Sequence, residues 1–171
     1  MTSSFKVKLG AWLALTVISI LAIGCQAGRI LNNTYINEEK GFRIALLPQG
    51  WVMDKQEGFD LFFHNPGTGG VVGVASQCQR GTRAPLEVLT RHLLFGIRGR
   101  EVISSREIRL GEVTALQTTM EAKDKDGVVR MSLVVIKKGR CIYDLLYVSR
   151  PDFFSPGLRD FEEFVRSFSL L

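Results

Sequence analysis

The sequence predicts an α+β domain in which an antiparallel β-sheet is flanked by helices, an α/β/α sandwich. Three observations predict it: several short segments alternate apolar and polar residues, two later segments repeat apolar residues at helical spacing, and the order is strands, helix, strands, helix. A helix with one apolar stripe buries it against another helix or a sheet face. An antiparallel sheet covered by helices accommodates every stripe.

Three strands are predicted before the first helix. Residues 42–46 alternate apolar and polar side chains, which is typical of a half-buried strand. Further strands are predicted at 60–64 and 71–78, and the glycine-rich composition of 65–70 predicts a loop between them.

The first helix is predicted to begin at Pro85, because the missing N–H of proline costs nothing in a first turn, and to end at Gly96 and Gly99. The second is predicted to begin at Ser155 and Pro156, where the serine can accept a hydrogen bond from an unpaired N–H. Their apolar stripes are Leu86, Leu89, Leu93 and Ile97, and Leu158, Phe161, Val165 and Phe168.

Between the helices, a short strand at 107–110 precedes strands at 113–122, 128–137 and 141–149. The sequence Asp-Gly at the second junction is a strong hairpin signal, because glycine accepts a positive φ. Short turns between consecutive strands predict an antiparallel meander.

The first 24 residues have the features of an export signal. Lys6 and Lys8 precede an uncharged apolar run at 9–24, whose 16 residues are fewer than the roughly 20 that a spanning helix needs. The run ends in Leu-Ala-Ile-Gly before Cys25, which resembles the bacterial lipobox, although alanine is unusual at its position. The resemblance implies cleavage before Cys25 and lipidation of its sulfur with acyl chains such as palmitate. An ordinary signal peptide and a short uncleaved anchor are the alternatives.

The predicted organisation is a signal peptide at 1–24, a lipidated tether at 25–34 and one domain at 35–171. Gln26 is not the aspartate that typically retains lipoproteins in the inner membrane, so we expect anchoring in the outer membrane, facing the periplasm. Loss of two lysines with the signal lowers the net charge from +5 to +3, which does not indicate a nucleic-acid binder.

With Cys25 lipidated, Cys78 and Cys141 remain as a pair. An oxidising compartment allows a disulfide between them, but two buried thiols fit the sequence equally well, because the sequence gives no Cα–Cα distance.

Two short motifs resemble those of PsbP-like and Mog1-like domains. One strand runs into the sequence Pro-Gln-Gly-Trp at 48–51, and the final helix closes on Phe-Val-Arg-Ser-Phe at 164–168. The resemblance implies an antiparallel α/β/α sandwich that serves as a binding or assembly module, as in photosystem II extrinsic subunits and a nuclear-transport regulator, neither of which is an enzyme. The lipobox departs from these examples, so the resemblance does not identify a partner.

The candidate binding site is a basic patch of Arg91, Arg98 and Arg100, which could contact anionic lipid head groups or an acidic partner. A solvated helix face is the alternative. Seven aromatic residues could line an apolar cavity or simply fill the core: Phe59, Phe62, Phe63, Tyr143, Tyr147, Phe153 and Phe154.

We expect no catalytic residues, metal or cofactor. His64 and His92 are isolated from any metal-ligand spacing, and the segment 124–127 lacks the later ligands of a calcium loop. The leading hypothesis is a non-catalytic, lipid-anchored module that binds an unidentified envelope protein. The alternative hypothesis is a carrier of lipid or another apolar small molecule, which requires a cavity.

Overall fold

A computed structural model describes residues 28–78, 83–97, 99–124 and 127–171. The predicted signal peptide, Cys25 and Arg98 lie outside these residues. The first strands are β1 (Arg29–Leu31), β2 (Thr34–Asn37), β3 (Phe42–Ala45), β4 (Val52–Asp54), β5 (Leu61–His64) and β6 (Val71–Cys78). After α1 (Leu86–Leu93) come β7 (Glu101–Leu110), β8 (Val113–Asp124), β9 (Gly127–Lys138), β10 (Cys141–Ser149), α2 (Pro151–Arg166) and β11 (Ser169–Leu170).

The strands form two antiparallel sheets. The larger sheet has the order β4-β5-β6-β10-β9-β8-β7, and the smaller has the order β1-β2-β3-β11. The predicted meander β8-β9-β10 is present, and Asp124 pairs with Gly127 at its first hairpin. The smaller sheet was not predicted, because strand alternation does not reveal which strands pair.

The two helices cover opposite faces of the larger sheet. Along β9, Val134 and Ile136 belong to the core cluster that includes α2, whereas Leu133 and Val135 belong to the cluster beside α1. Residues 131–136 are all buried, because both faces of the strand are covered. The predicted α/β/α arrangement is therefore confirmed.

Residues of the two PsbP-like motifs, at 48–51 and 164–168, connect α2 to the strands through hydrogen bonds. The indole Nε1 of Trp51 donates to Asp160 Oδ2 at 2.9 Å, and its ring meets the edge of Tyr147. At the other end of α2, Ser167 Oγ accepts a hydrogen bond from the Ala45 amide at 3.0 Å and donates to the Phe164 carbonyl at 2.6 Å. Gly50, between proline and tryptophan, has φ 102°, which favours glycine.

The folded domain begins earlier than the predicted boundary at residue 35. Residues 29–37 form the β1-β2 hairpin, so the tether cannot extend to residue 34. Its two-residue turn consists of Asn32 and Asn33, both with positive φ, as in the primed turns that match strand twist.

Three other boundaries were also wrong. Strand β7 begins at Glu101 rather than at residue 107. The sequence did not predict its first half, because most of this edge strand is exposed on both faces and shows no apolar alternation. Helix α2 begins at Pro151, four residues before the predicted serine cap, because Pro151 itself occupies the first turn. Helix α1 ends at Leu93, before its predicted glycines.

Candidate functional site

A groove between α1 and β7 contains the two described arginines of the predicted patch. It has a volume of about 280 Å³ and opens on the α1 face of the larger sheet. We call it the α1–β7 groove. Its lining residues are Glu87, Thr90, Arg91, Leu94, Arg100, Val102, Ser105, Leu116 and Thr118.

The two arginines have different roles in this groove. Arg100 Nη1 donates to the carbonyls of Leu94 at 2.8 Å and Ile97 at 3.3 Å, so it caps the carbonyls that follow α1. Arg91 is exposed, and among the described residues no group accepts a hydrogen bond from it or pairs with its charge. The structure thus brings Arg91 and Arg100 to one groove, with Arg91 free to meet a ligand.

A buried hydroxyl lies beneath the arginines. Thr90 is 5% exposed, and its Oγ1 has no hydrogen-bond partner among the described residues. A buried hydroxyl without a partner costs about 1–3 kcal/mol, so such groups are usually satisfied by water or a ligand. Nearby, Ser105 Oγ and Thr118 Oγ1 satisfy each other at 3.1 Å. The groove therefore offers the exposed guanidinium of Arg91 to an anionic group, and the unpaired Thr90 hydroxyl is buried beneath its surface.

Cys78 and Cys141 form a disulfide. They are direct partners in the β6-β10 ladder, with a Cα–Cα distance of 4.1 Å and an S–S distance of 2.02 Å. The sequence did not decide between a disulfide and two free thiols. The register of β6 and β10 places the two cysteines opposite each other, so they form the disulfide. The bond links the ends of two adjacent strands in the middle of the larger sheet.

Asp144 carries a partly buried carboxyl group that the sequence analysis did not single out. On β10 it pairs with Ala75 and Val135, and within the described residues its side chain makes no hydrogen bond. Burial raises its pKa from 3.8 to about 6. The sequence did carry a signal for this group, because Asp144 is the single charged residue within the apolar strand 141–149.

The other candidate groups do not form a site. His64 lies on β5 and His92 on α1, and across the described ranges no group of three or more His, Cys, Asp or Glu residues could hold a metal ion. Within the same part of the chain, no helix is long and apolar enough to span a membrane.

The aromatic residues mostly fill the core. Phe63, Tyr143, Tyr147 and Phe154 are buried in the cluster beneath α2, where Tyr147 stacks on Phe154 with ring centroids 5.1 Å apart. Phe59 and Phe62 contact each other on the opposite face, and Phe153 is exposed. This arrangement gives the carrier hypothesis no aromatic cavity among these residues.

No family model matches the chain, and no curated protein matches it. Solved structures do: PsbP (CyanoP) from Synechocystis sp. PCC 6803 has a TM-score of 0.63 and 13% identity, over 91% of this chain and 99% of that one. LpqN of Mycobacterium tuberculosis, described as involved in cell envelope biogenesis, has a TM-score of 0.62 and 11% identity, over 75% and 82%.

A Bacteroides thetaiotaomicron VPI-5482 protein has a TM-score of 0.59 and 13% identity over 83% of this chain, which spans only 49% of that protein. Sequence identities of 11–13% show that these proteins share a fold with this chain, and they show no more than that. The chain has a PsbP-like fold, as its two motifs predicted.

Proposed function

We propose that this chain is a non-catalytic, lipid-anchored module of the bacterial envelope that binds an acidic segment of a partner protein in the α1–β7 groove. The observation that carries the proposal is the exposed Arg91, which has no partner among the described residues and lies with Arg100 in one groove. Supporting it, the PsbP-like fold is shared with LpqN, a protein of envelope biogenesis, and the sequence carries a lipobox-like segment ending at Cys25.

The groove suits a peptide better than a small molecule. Its volume of about 280 Å³ lies at the lower limit of the roughly 300–1,000 Å³ that small-molecule sites occupy. Two guanidinium groups against the single carboxylate of Glu87 favour an acidic ligand. Val102 and Leu116 add apolar contacts, so a segment that combines acidic and apolar side chains fits best.

Photo-crosslinking in cells tests the groove. We expect a benzophenone amino acid at Val102, whose side chain is 53% exposed in the groove, to form discrete adducts with a partner. Arg91→Glu should weaken these adducts at least tenfold, equivalent to about 1.4 kcal/mol, because it places a carboxylate against an acidic ligand. Arg159→Glu, an exposed charge on α2, is the matched control and should leave them unchanged. Equal adducts in both variants would exclude the groove.

Labelling with a palmitate analogue tests the anchor. We expect the wild-type chain to incorporate the label and Cys25→Ser to lose it, because the thiolate is the group that accepts the lipid. The variant Cys78→Ser/Cys141→Ser should still be labelled. A Cys25→Ser protein that keeps the label, or is cleaved at the same bond, would contradict the anchor.

A further inference from the structure

A crevice opens between the edges of the two sheets at the start of the folded domain. It has a volume of about 500 Å³, and its apolar walls are Ile30 of β1, Met53 of β4, Leu61 and the ring of Tyr35. Gly28 and three charged residues complete the lining: Asp54, Lys55 and Asp60. Ile30 and Met53 are 47% and 48% exposed, although both are large apolar side chains. We call it the β1–β4 crevice.

Further exposed apolar residues flank the crevice on the same two edge strands. Leu31 on β1 is 54% exposed, and Val52 on β4 is 46% exposed. Clustered apolar side chains at a protein surface typically mark contact with a membrane or another protein. Exposed apolar side chains thus lie on both edge strands beside the crevice, whose lining also carries charged residues.

The number of residues between Cys25 and Gly28, the first described residue, limits how far this edge can lie from Cys25. Gly28 lines the crevice and packs against Tyr35, because a Cβ at this position would overlap the Tyr35 ring. Only two residues separate Gly28 from Cys25. Even fully extended, three residue steps span about 10–11 Å. A lipid on Cys25 would therefore hold the crevice close to the membrane surface.

We infer that the β1–β4 crevice and its flanking residues rest on the bilayer that holds the anchor, with Ile30 and Met53 at the boundary between head groups and acyl chains. This inference rests on the proposed lipidation of Cys25. The short connection favours the bilayer over a protein partner, because the crevice lies within reach of the membrane whatever else is bound. Burying the two side chains removes apolar area from water, which stabilises the docked orientation.

Tryptophan quenching by brominated lipids tests the orientation. Trp51 is the only tryptophan after residue 24, so Trp51→Phe gives a background in which Met53→Trp or Val102→Trp is the sole emitter. Positions 53 and 102 are matched in exposure, at 48% and 53%, but lie on opposite edge strands of the larger sheet. Circular dichroism checks folding, and Ile30→Trp replaces Met53→Trp if that variant does not fold.

With the lipidated protein in phosphatidylethanolamine–phosphatidylglycerol vesicles, we expect at least twofold quenching at position 53 and none at 102. Equal quenching at both positions, or none at 53, overturns the inference. Blue-shifted but unquenched emission at 53 would also overturn it, because the crevice would then hold the protein's own acyl chain away from the bilayer. The mass of the N-terminal peptide is measured in parallel. An acylated chain without quenching contradicts the orientation alone, whereas a chain without acyl groups contradicts the proposed anchor and the orientation with it.

Discussion

Replacing Cys78 and Cys141 together by serine is expected to lower the free energy of unfolding by about 4 kcal/mol. The bridge joins residues 63 positions apart, so it restricts a long stretch of the unfolded chain. In the chain-entropy description a loop of this length contributes about 4 kcal/mol at 25 °C. Urea unfolding followed by circular dichroism measures the loss.

Reductant provides the control for this experiment. The wild-type protein in dithiothreitol should lose the same free energy as the double variant, whereas the double variant should not respond to dithiothreitol. A loss below about 1 kcal/mol would mean that the β6-β10 ladder holds the strand ends without the bond, and that the unfolded chain is already compact.

The variant Asp144→Asn is expected to raise the free energy of unfolding at pH 7.5 by about 2–3 kcal/mol. The pKa of Asp144 rises to about 6 on folding because burial disfavours the charged carboxylate. The folded chain therefore keeps a proton that the unfolded chain releases, and stability falls as the pH rises from about 4 to about 6. A rise of about two pKa units corresponds to about 3 kcal/mol.

Urea unfolding between pH 4 and pH 8 measures this effect as the difference between the wild type and Asp144→Asn. The difference should be small near pH 4, grow through pH 5–6 and stay constant above pH 7. Glu112→Gln, an exposed residue beside Gly111, is the control and should show no such growth. A variant that is less stable than the wild type at pH 7.5 would show that the carboxylate is satisfied in the folded protein.

The sequence predicted the interior of this domain better than its edges. Strands at 71–78 and 141–149 and the stripe of α2 carry strong apolar patterns, because each packs on a core face. Strand β7 has no such pattern, because it borders solvent at the sheet edge. The hairpin at 29–37 was also missed, since its turn uses two asparagines rather than a glycine.

The sequence predicted the arginines of the candidate site but not the groove that contains them. The charges of Arg91 and Arg100 stand out in the sequence, but their common groove arises from the packing of α1 beside β7 and β8. The sequence does not reveal that Thr90 loses its partners, because a threonine hydroxyl within a helix usually bonds a backbone carbonyl or water. Asp144 carried a readable signal, but its missing partner depends on the neighbours that β6 and β9 supply.

The strand order of the larger sheet also sets the distance between its two edges. β4 and β7 are its two edges, separated by six strand spacings, or about 29 Å at roughly 4.8 Å each. If the β4 edge rests on the bilayer as inferred, the α1–β7 groove would stand up to about 3 nm above the lipid, because twist of the sheet can only shorten that distance. The sheet would then act as a spacer, and the proposed partner would have to present its acidic segment at that height or from the aqueous side.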